Sequence, residues 1–455
     1  MEDKTQQLGN VPPADPNRTV MTAAATGAGQ TVMGAPMRAL ELDVVPGNRY
    51  ACAPSTTREH LLVMLRAPGN VVGRRMPLNL ALVIDRSGSM EGEPLEYVKR
   101  ACSYVVDLLE PTDILSIVTF EETVEVVMPA RRVINKALIK EHIARIQPGN
   151  TTNLYDGMVA GCIQVASVRL PGYLNRVLLL TDGEPTAGIK DFSAIVQQVA
   201  QQKQAGITIT ALGFGTEYNE ELMAGIARRS GGNYYFIAQP SLIPEVFRRE
   251  LETLMTITAR NVRIRLTAPR DVRCRYVYGA VSPQMGARVT EYTLPDIERG
   301  SAVASLSEWE FDRHIPGIYR FAKVEVTYED VVTGRTETLT GDAVIEFTPD
   351  RSLVEANRDP IVQRELEVHL ASRNLEKTMM GMRTQQLTAM GALQELQKTR
   401  TMLMQAGRSE EAQEVTLAMQ AIQQGGSVEK TLIGTIYDLD KGKRRDAGAT
   451  AERKE

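Results

Sequence analysis

The chain predicts an α/β domain with a doubly wound, mostly parallel sheet, inserted in an antiparallel β-sandwich and followed by a helical region. Three observations carry that expectation. The run LNLALVID, from Leu78 to Asp85, is almost continuously apolar, as a strand buried on both faces of a parallel sheet must be. Helical and strand patterns then alternate over 77–257, which implies βαβ units. Over 258–350 apolar and polar residues alternate with turns between, the pattern of antiparallel strands, and the apolar runs split by turn-type residues over 38–76 read as strands of the same sandwich.

Each element has a local reason. Residues 1–37 are rich in Ala, Gly, Thr, Pro and Gln, and such a segment cannot bury enough surface to offset its ordering entropy. It reads as a disordered tail with a short repeat, Thr19-Val20-Met21 and Thr31-Val32-Met33. ALELDVV and HLLVMLRA follow as strands. After LNLALVID, the residues Leu95, Val98, Cys102, Val105 and Leu109 recur at helical steps, and Pro111 stops that helix. ILSIVTF and TVEVVM are close enough to pair as a hairpin. Helices about 134–146, 154–168, 191–205, 219–229 and 241–254 then interleave with strands VLLL, ITITAL and YYFIA.

The strands after 258 and those before 67 are expected to share one sandwich, because isolated strand pairs are marginal. Over 351–434 the pattern is helical again. Asp359-Pro360 is a cap and first-turn pair, Leu375, Met379 and Met382 keep helical spacing, and Gly407 with Ser409 marks a break. Residues 435–455, with the basic run from Lys441 to Arg445, read as a solvated, flexible tail.

Composition bounds the function. The net charge of −4 gives no basic excess for nucleic acid. Cys52, Cys102, Cys162 and Cys274 have no metal-ligand or redox spacing and read as reduced thiols. The amino terminus lacks a signal-peptide core, and no apolar run approaches the roughly 18 residues that span a bilayer. A cytoplasmic protein that does not engage the membrane is expected.

Three loops at the carboxyl ends of predicted parallel strands carry the chemistry. They hold Asp85-Arg86-Ser87-Gly88-Ser89, Thr151-Thr152-Asn153 and Thr181-Asp182-Gly183. Ligands of open α/β sheets bind outside those ends, where the topology switches. The candidate metal residues are Asp85, Ser87, Ser89, Thr152 and Asp182, all hard oxygen donors with no His or Cys, which disfavours Zn²⁺ and copper. Few donors with open positions suit Mg²⁺, with Mn²⁺ or Ca²⁺ as alternatives. An incomplete shell invites an Asp or Glu carboxylate from a partner protein. The motif loops offer no His or Lys as general base and no nucleophile–base pair, so no enzyme is expected, and metal-assisted hydrolysis ranks last.

LVIDRSGSM, NTTNLYDGM, LLLTDGEP, ITALGFG and YNEELMAGIARRSGGNYYFI together resemble a bacterial von Willebrand factor A domain with a complete metal-ion-dependent adhesion site, over about 77–255. The resemblance implies that Ser87 and Ser89 bind the metal directly, Asp85 and Asp182 directly or through water, and Thr152 when a ligand is engaged. The family usually has Gly-Gly-Thr in the second loop. Here Asn150-Thr151-Thr152 stands in its place, so Thr151 is the alternative. The wider arrangement is similar to bacterial relatives of inter-α-trypsin inhibitor heavy chains and calcium-activated chloride channel homologues. It implies a protein-interaction module. The alternative is a regulatory subunit of a MoxR-like AAA+ ATPase. DPNRTVM and KTQQLG resemble tails of bacterial Ser/Thr-kinase and forkhead-associated-domain signalling proteins, which makes Thr5, Thr19 and Thr31 candidate phosphorylation sites and such a kinase or forkhead-associated protein a candidate partner.

Overall fold

A computed structural model describes residues 38–53, 55–69, 75–425 and 428–444. The tail 1–37, with Thr5, Thr19 and Thr31, lies outside these residues. The described chain opens with three strands, β1 (Glu41–Pro46), β2 (Tyr50–Cys52) and β3 (Thr57–Arg66).

The α/β part follows. Its elements are β4 (Leu78–Asp85), α1 (Glu93–Leu108), β5 (Ile114–Phe120), β6 (Val124–Arg132), α2 (Lys136–Ala144), α3 (Leu154–Ser167) and β7 (Leu174–Gly183). Then come α4 (Phe192–Gln204), β8 (Thr208–Glu217), α5 (Glu220–Ser230), β9 (Tyr234–Ile237) and α6 (Ile243–Met255). The sheet order is β6-β5-β4-β7-β8-β9, with only β6 antiparallel. Every residue of β4 is buried, because its side chains feed both faces. Leu80, Leu82 and Ile84 pack with α1, α2 and α6, while Ala81 and Val83 pack with α3, α4 and α5. Each fully buried Leu, Val or Ile there contributes about 1.5–3 kcal/mol. Four of the helices begin at capping side chains, Asn135, Asn153, Asp191 and Asn219, each accepting from a backbone N–H of the first turn.

The chain then runs through β10 (Ile257–Thr267), β11 (Val272–Val277), β12 (Gln284–Met285), β13 (Val289–Thr293), β14 (Ile297–Glu298), β15 (Ala302–Phe311), β16 (Gly317–Asp330) and β17 (Arg335–Thr348). They build two sheets, β1-β3-β15-β11 and β12-β13-β10-β16-β17-β2. Strand β3 pairs antiparallel with β15 from Arg66↔Ala302 to Thr57↔Phe311. Strands from before and after the α/β part therefore share one sheet, as the sequence predicts. Trp309, Phe311, Phe321 and Phe347 fill the space between the sheets.

The helical region is α7 (Arg351–Ala356), α8 (Pro360–Arg383), α9 (Ala389–Gln405), α10 (Ser409–Gln423) and α11 (Glu429–Asp440), with β18 (Lys443–Arg444) after it. Asp359 caps α8 by accepting from the N–H groups of Ile361 and Val362. Leu375, Leu396, Leu403, Val415 and Leu432 form the bundle core. Val362 seats α8 on Leu62, Met64 and Leu306 of the sandwich's outer face. Among the described residues no helix is long and apolar enough to cross a membrane.

The expected solvated tail over 435–455 does not hold for its first ten residues. Helix α11 continues to Asp440 and sends Tyr437 into the α/β core. The Tyr437 hydroxyl donates to the Gly232 carbonyl at 2.5 Å, and Lys441 Nζ donates to the same oxygen at 2.6 Å. Strand β18 pairs with β15, and Lys443 forms an ion pair with Glu298 at 2.5 Å. A basic run with no helical period reads as solvated, but its acceptors lie far away in sequence, where local patterning carries no signal.

Gly442 has φ of +62°, and a Cβ there would stand 2.2 Å from the Ala304 carbonyl oxygen. Gly442→Ala should lower unfolding stability by about 2 kcal/mol, read in a denaturant titration. Unchanged stability would mean that the turn relaxes freely. A second expectation concerns pH. Glu414 accepts from Thr435 Oγ1 at 2.7 Å, and burial pushes its carboxyl from 4.5 up to about 7 against that bond. The unfolded chain releases this proton near 4.5 and the folded chain near 7. The contribution to stability therefore falls as pH rises through that window. Glu414→Gln should flatten this fall in thermal melts, and parallel profiles for the two proteins would refute the assignment.

Candidate metal centre

Strand β4 has β5 on one side and β7 on the other, so the sheet order reverses there and a crevice opens at their carboxyl ends. Asp85 is the last residue of β4 and Asp182 sits at the end of β7. The first loop turns tightly. Its Arg86 N–H still donates to Phe120 of β5, at 3.0 Å. The Ser87 N–H then donates to Asp85 Oδ1 at 2.8 Å, and a single 3₁₀ turn over Gly88–Met90 buries Met90. The second loop is stitched to the first by Gly149 N–H to Arg86 O at 2.5 Å and Gly88 N–H to Asn150 O at 3.2 Å. The third loop is stitched to the second. Thr152 N–H donates to Thr186 Oγ1 at 2.9 Å, and Thr186 N–H donates back to Thr152 O at 3.0 Å.

These bonds converge the oxygen donors. Ser89 Oγ donates to Asp182 Oδ1 at 2.8 Å, and Ser87 Oγ donates to the same oxygen at 3.5 Å. The two serine oxygens are 3.2 Å apart. Thr152 Oγ1 lies 3.4 Å from where a side chain on Gly183 would begin, so its hydroxyl borders the Asp182 turn. The Thr151 hydroxyl is buried without a hydrogen-bond partner among the described residues. Asp85 is wholly buried, and Ser87, Thr152 and Asp182 are 2%, 4% and 7% exposed, whereas Ser89 faces solvent.

Burial pushes the Asp85 carboxyl from 3.8 up to about 6. The hydrogen bonds from Thr181 and Ser87 oppose that rise, and the neighbouring charge of Asp182 adds to it. Two acids held this close in a dry crevice make a site whose electrostatics a cation would relieve. Among the described residues no group of three or more His, Cys, Asp or Glu side chains comes together to hold a metal. A cation at this edge would therefore rely on hydroxyls as well as the two carboxylates.

The structure brings Asp85, Ser87, Ser89 and Asp182 into one connected cluster and places Thr152 at its border. Sequence reasoning named Thr181 within the third loop but gave it no role. Its hydroxyl donates to Asp85 Oδ2 at 2.5 Å. The available signal was a polar residue ending the apolar run RVLLLT, beside the end of the neighbouring strand. Sequence reasoning also gave no role to Arg86, and passed over Glu121 in the β5–β6 turn, which faces it at 3.5 Å.

A mostly parallel sheet with an oxygen-lined crevice at its switch point places the chain among the doubly wound α/β domains. Residues 79–249 match the von Willebrand factor type A domain. An uncharacterised protein of Synechocystis is 30% identical over 301 residues, 64% of this chain and 71% of that protein. The chain belongs to the von Willebrand factor type A domain family. Human inter-alpha-trypsin inhibitor heavy chain H4 is 27% identical over 216 residues, and there the match spans 42% of this chain and 23% of the heavy chain. A solved von Willebrand factor type A protein from Catenulispora acidiphila superimposes with a TM-score of 0.68 at 17% identity, over 84% of this chain and 91% of that one. At that identity the likeness is one of fold.

Thr181→Val keeps the shape and removes the donor to Asp85. A buried carboxylate oxygen left without it should cost about 1–3 kcal/mol of unfolding stability in metal-free buffer. Chemical denaturation of the two proteins checks this, and equal midpoints would show that Asp85 finds another donor.

Proposed function

We propose that the crevice holds one divalent cation, Mg²⁺ by preference, and that the protein uses it to grip an acidic residue of a partner protein. The convergence of Ser87, Ser89 and Asp182 oxygens within 2.8–3.5 Å of one another carries this reading. Oxygens around an octahedral Mg²⁺ at about 2.1 Å stand about 3 Å apart, so the donors are spaced to share such an ion. Asp85, Ser87, Ser89, Thr152 and Asp182 would hold it. When bound, the ion supplies a strong, hard Lewis-acid contact for an external carboxylate.

The protein's own residues do the rest. Thr181 and the Ser87 N–H fix both oxygens of the Asp85 carboxylate, and Arg86 and Glu121 brace the rim. Ser89, on the exposed side, marks where a partner would approach. The motif loops carry no His or Lys, which favours binding over turnover. Membership of a family of interaction modules, including the related heavy chains, supports the same reading.

Isothermal titration of Mg²⁺ into the intact protein tests it. Wild type should bind one equivalent. Asp85→Ala combined with Asp182→Ala should lose that heat and keep its far-ultraviolet circular dichroism. Wild-type affinity in the double variant would refute the ligand set.

A further inference from the structure

At the opposite edge of the parallel sheet, where β7 and β8 begin, lies a cavity of about 340 Å³. Its walls include Arg169, Tyr173, Arg176, Lys203, Arg260 and Asp296. Of the four cations, Arg176 is paired with Asp296 and Arg260 with Glu329, which leaves Arg169 and Lys203 as a surplus of two. Arg176 is 4% exposed and forms an ion pair with Asp296, but its Nε is buried with no hydrogen-bond partner. The Lys203 ammonium and the Arg169 guanidinium lie in the same wall with no direct hydrogen bond or ion pair of their own among the described residues. Burial lowers the Lys203 ammonium below its usual value, Asp296 draws it up and Arg176 pushes it down again.

Arg260 reaches this place through a backbone irregularity. Strand β10 carries an extra residue between Arg260 and Arg263 against β16, and Asn261 in that bulge has φ of +53°. Bulges of this kind re-aim side chains beside functional sites. Here Arg260 donates to the Tyr173 carbonyl at 3.0 Å and pairs with Glu329 at 2.6 Å. A second cavity of about 240 Å³ shares the Lys203 wall, and there Arg228 is already paired with Asp440 at 3.0 Å.

We propose that this basal cleft is a binding site for a phosphate group, either free phosphate or the headgroup of a small phosphomonoester. Guanidinium forks match phosphate oxygens bidentately, and the surplus of cations over acids calls for a ligand bearing two negative charges. A single carboxylate would leave one of those two cations unpaired. The cavity has room for a phosphate and a short organic body. The site lies at the amino ends of the strands, so it is separate from the carboxyl-end crevice and independent of any metal there.

Thermal melts and calorimetry on the full chain, without divalent metal, test the proposal. The probes are sodium phosphate, glycerol phosphate and sodium acetate at low-millimolar concentration, each matched in ionic strength with sodium chloride. The two phosphates should raise the melting temperature above the chloride control, and acetate should not. Arg169→Ala with Lys203→Met should weaken phosphate binding by about tenfold or more. Arg169 is exposed and Lys203 carries a poorly solvated charge, so this variant should fold. Arg169→Ala alone is the milder check and should show a partial loss. Tighter binding of one phosphate than the other names its source. No phosphate-specific shift, an equal shift with acetate, or full binding in the double variant would overturn the proposal.

Discussion

The structure turns on one buried acid. Asp85 ends a strand with no exposed residue, and its carboxylate has no contact with solvent. An ionised carboxylate in that position is costly unless hydrogen bonds or a cation compensate it. Compensation comes from two directions, the Ser87 N–H on one oxygen and Thr181 on the other. The first bond closes the tight turn that brings the Ser87 and Ser89 hydroxyls to Asp182. The second ties the end of β4 to the end of β7, which sets Asp182 across from the serines. The oxygen cluster is thus a consequence of satisfying one buried charge at the point where the sheet changes direction.

The parts of the fold readable from the sequence are those with a local physical cause. LNLALVID is legible because a strand with two buried faces cannot contain polar side chains until its end. The starts of α2, α3 and α5 are legible because Asn135, Asn153 and Asn219 supply acceptors for orphan N–H groups. The divided sandwich is legible because the few strands before the α/β part cannot close a core alone. The donor set at the crevice was legible through spacing, since Asp-x-Ser-x-Ser follows a strand and Thr-Asp-Gly ends another. Thr181's bond to Asp85 was not, because spacing within a motif does not show which hydroxyl reaches across to another loop. Lys441 was misread for the same reason. Its acceptor on Gly232 lies 209 residues away, and nothing around Lys441 encodes it. The basal cleft depends on Arg176 meeting Asp296 across 120 residues and on a bulge at Asn261, and neither has a local signature.

The insertion also explains why the two edges of the sheet differ. The α/β part begins with a strand, β4, and ends with a helix, α6. In a parallel sheet the strands run from the amino edge to the carboxyl edge, and the helices return. A segment that starts on a strand and finishes on a helix therefore has both of its chain connections at the amino edge. The sandwich, built from what precedes and follows, must lie at that edge. The contacts agree, since Arg260 bonds to Tyr173 and Asp296 to Arg176 just where β7 begins. The carboxyl edge, with Asp85 and Asp182, is left clear of the sandwich by topology alone.

Helix α11 is the element that spans this difference. Near its start, Lys430 donates to the Tyr218 carbonyl at 2.8 Å, just past the carboxyl end of β8, and pairs with Glu220 at 3.1 Å. Beyond its end, Lys441 donates to Gly232, and Gly279 of the sandwich lies so close to the Asp440 carbonyl that a Cβ there would stand 2.2 Å from it. Twelve helical residues rise about 18 Å, roughly the length of a strand in the sheet beside them. A helix is stiff over that span. A displacement of the loop after β8, two strands from Asp85, is thereby resisted by packing at the sandwich face rather than by the α/β domain alone. The residues after 434, which read as a solvated tail, thus join the α/β part through Tyr437 and Lys441 and the sandwich through Lys443.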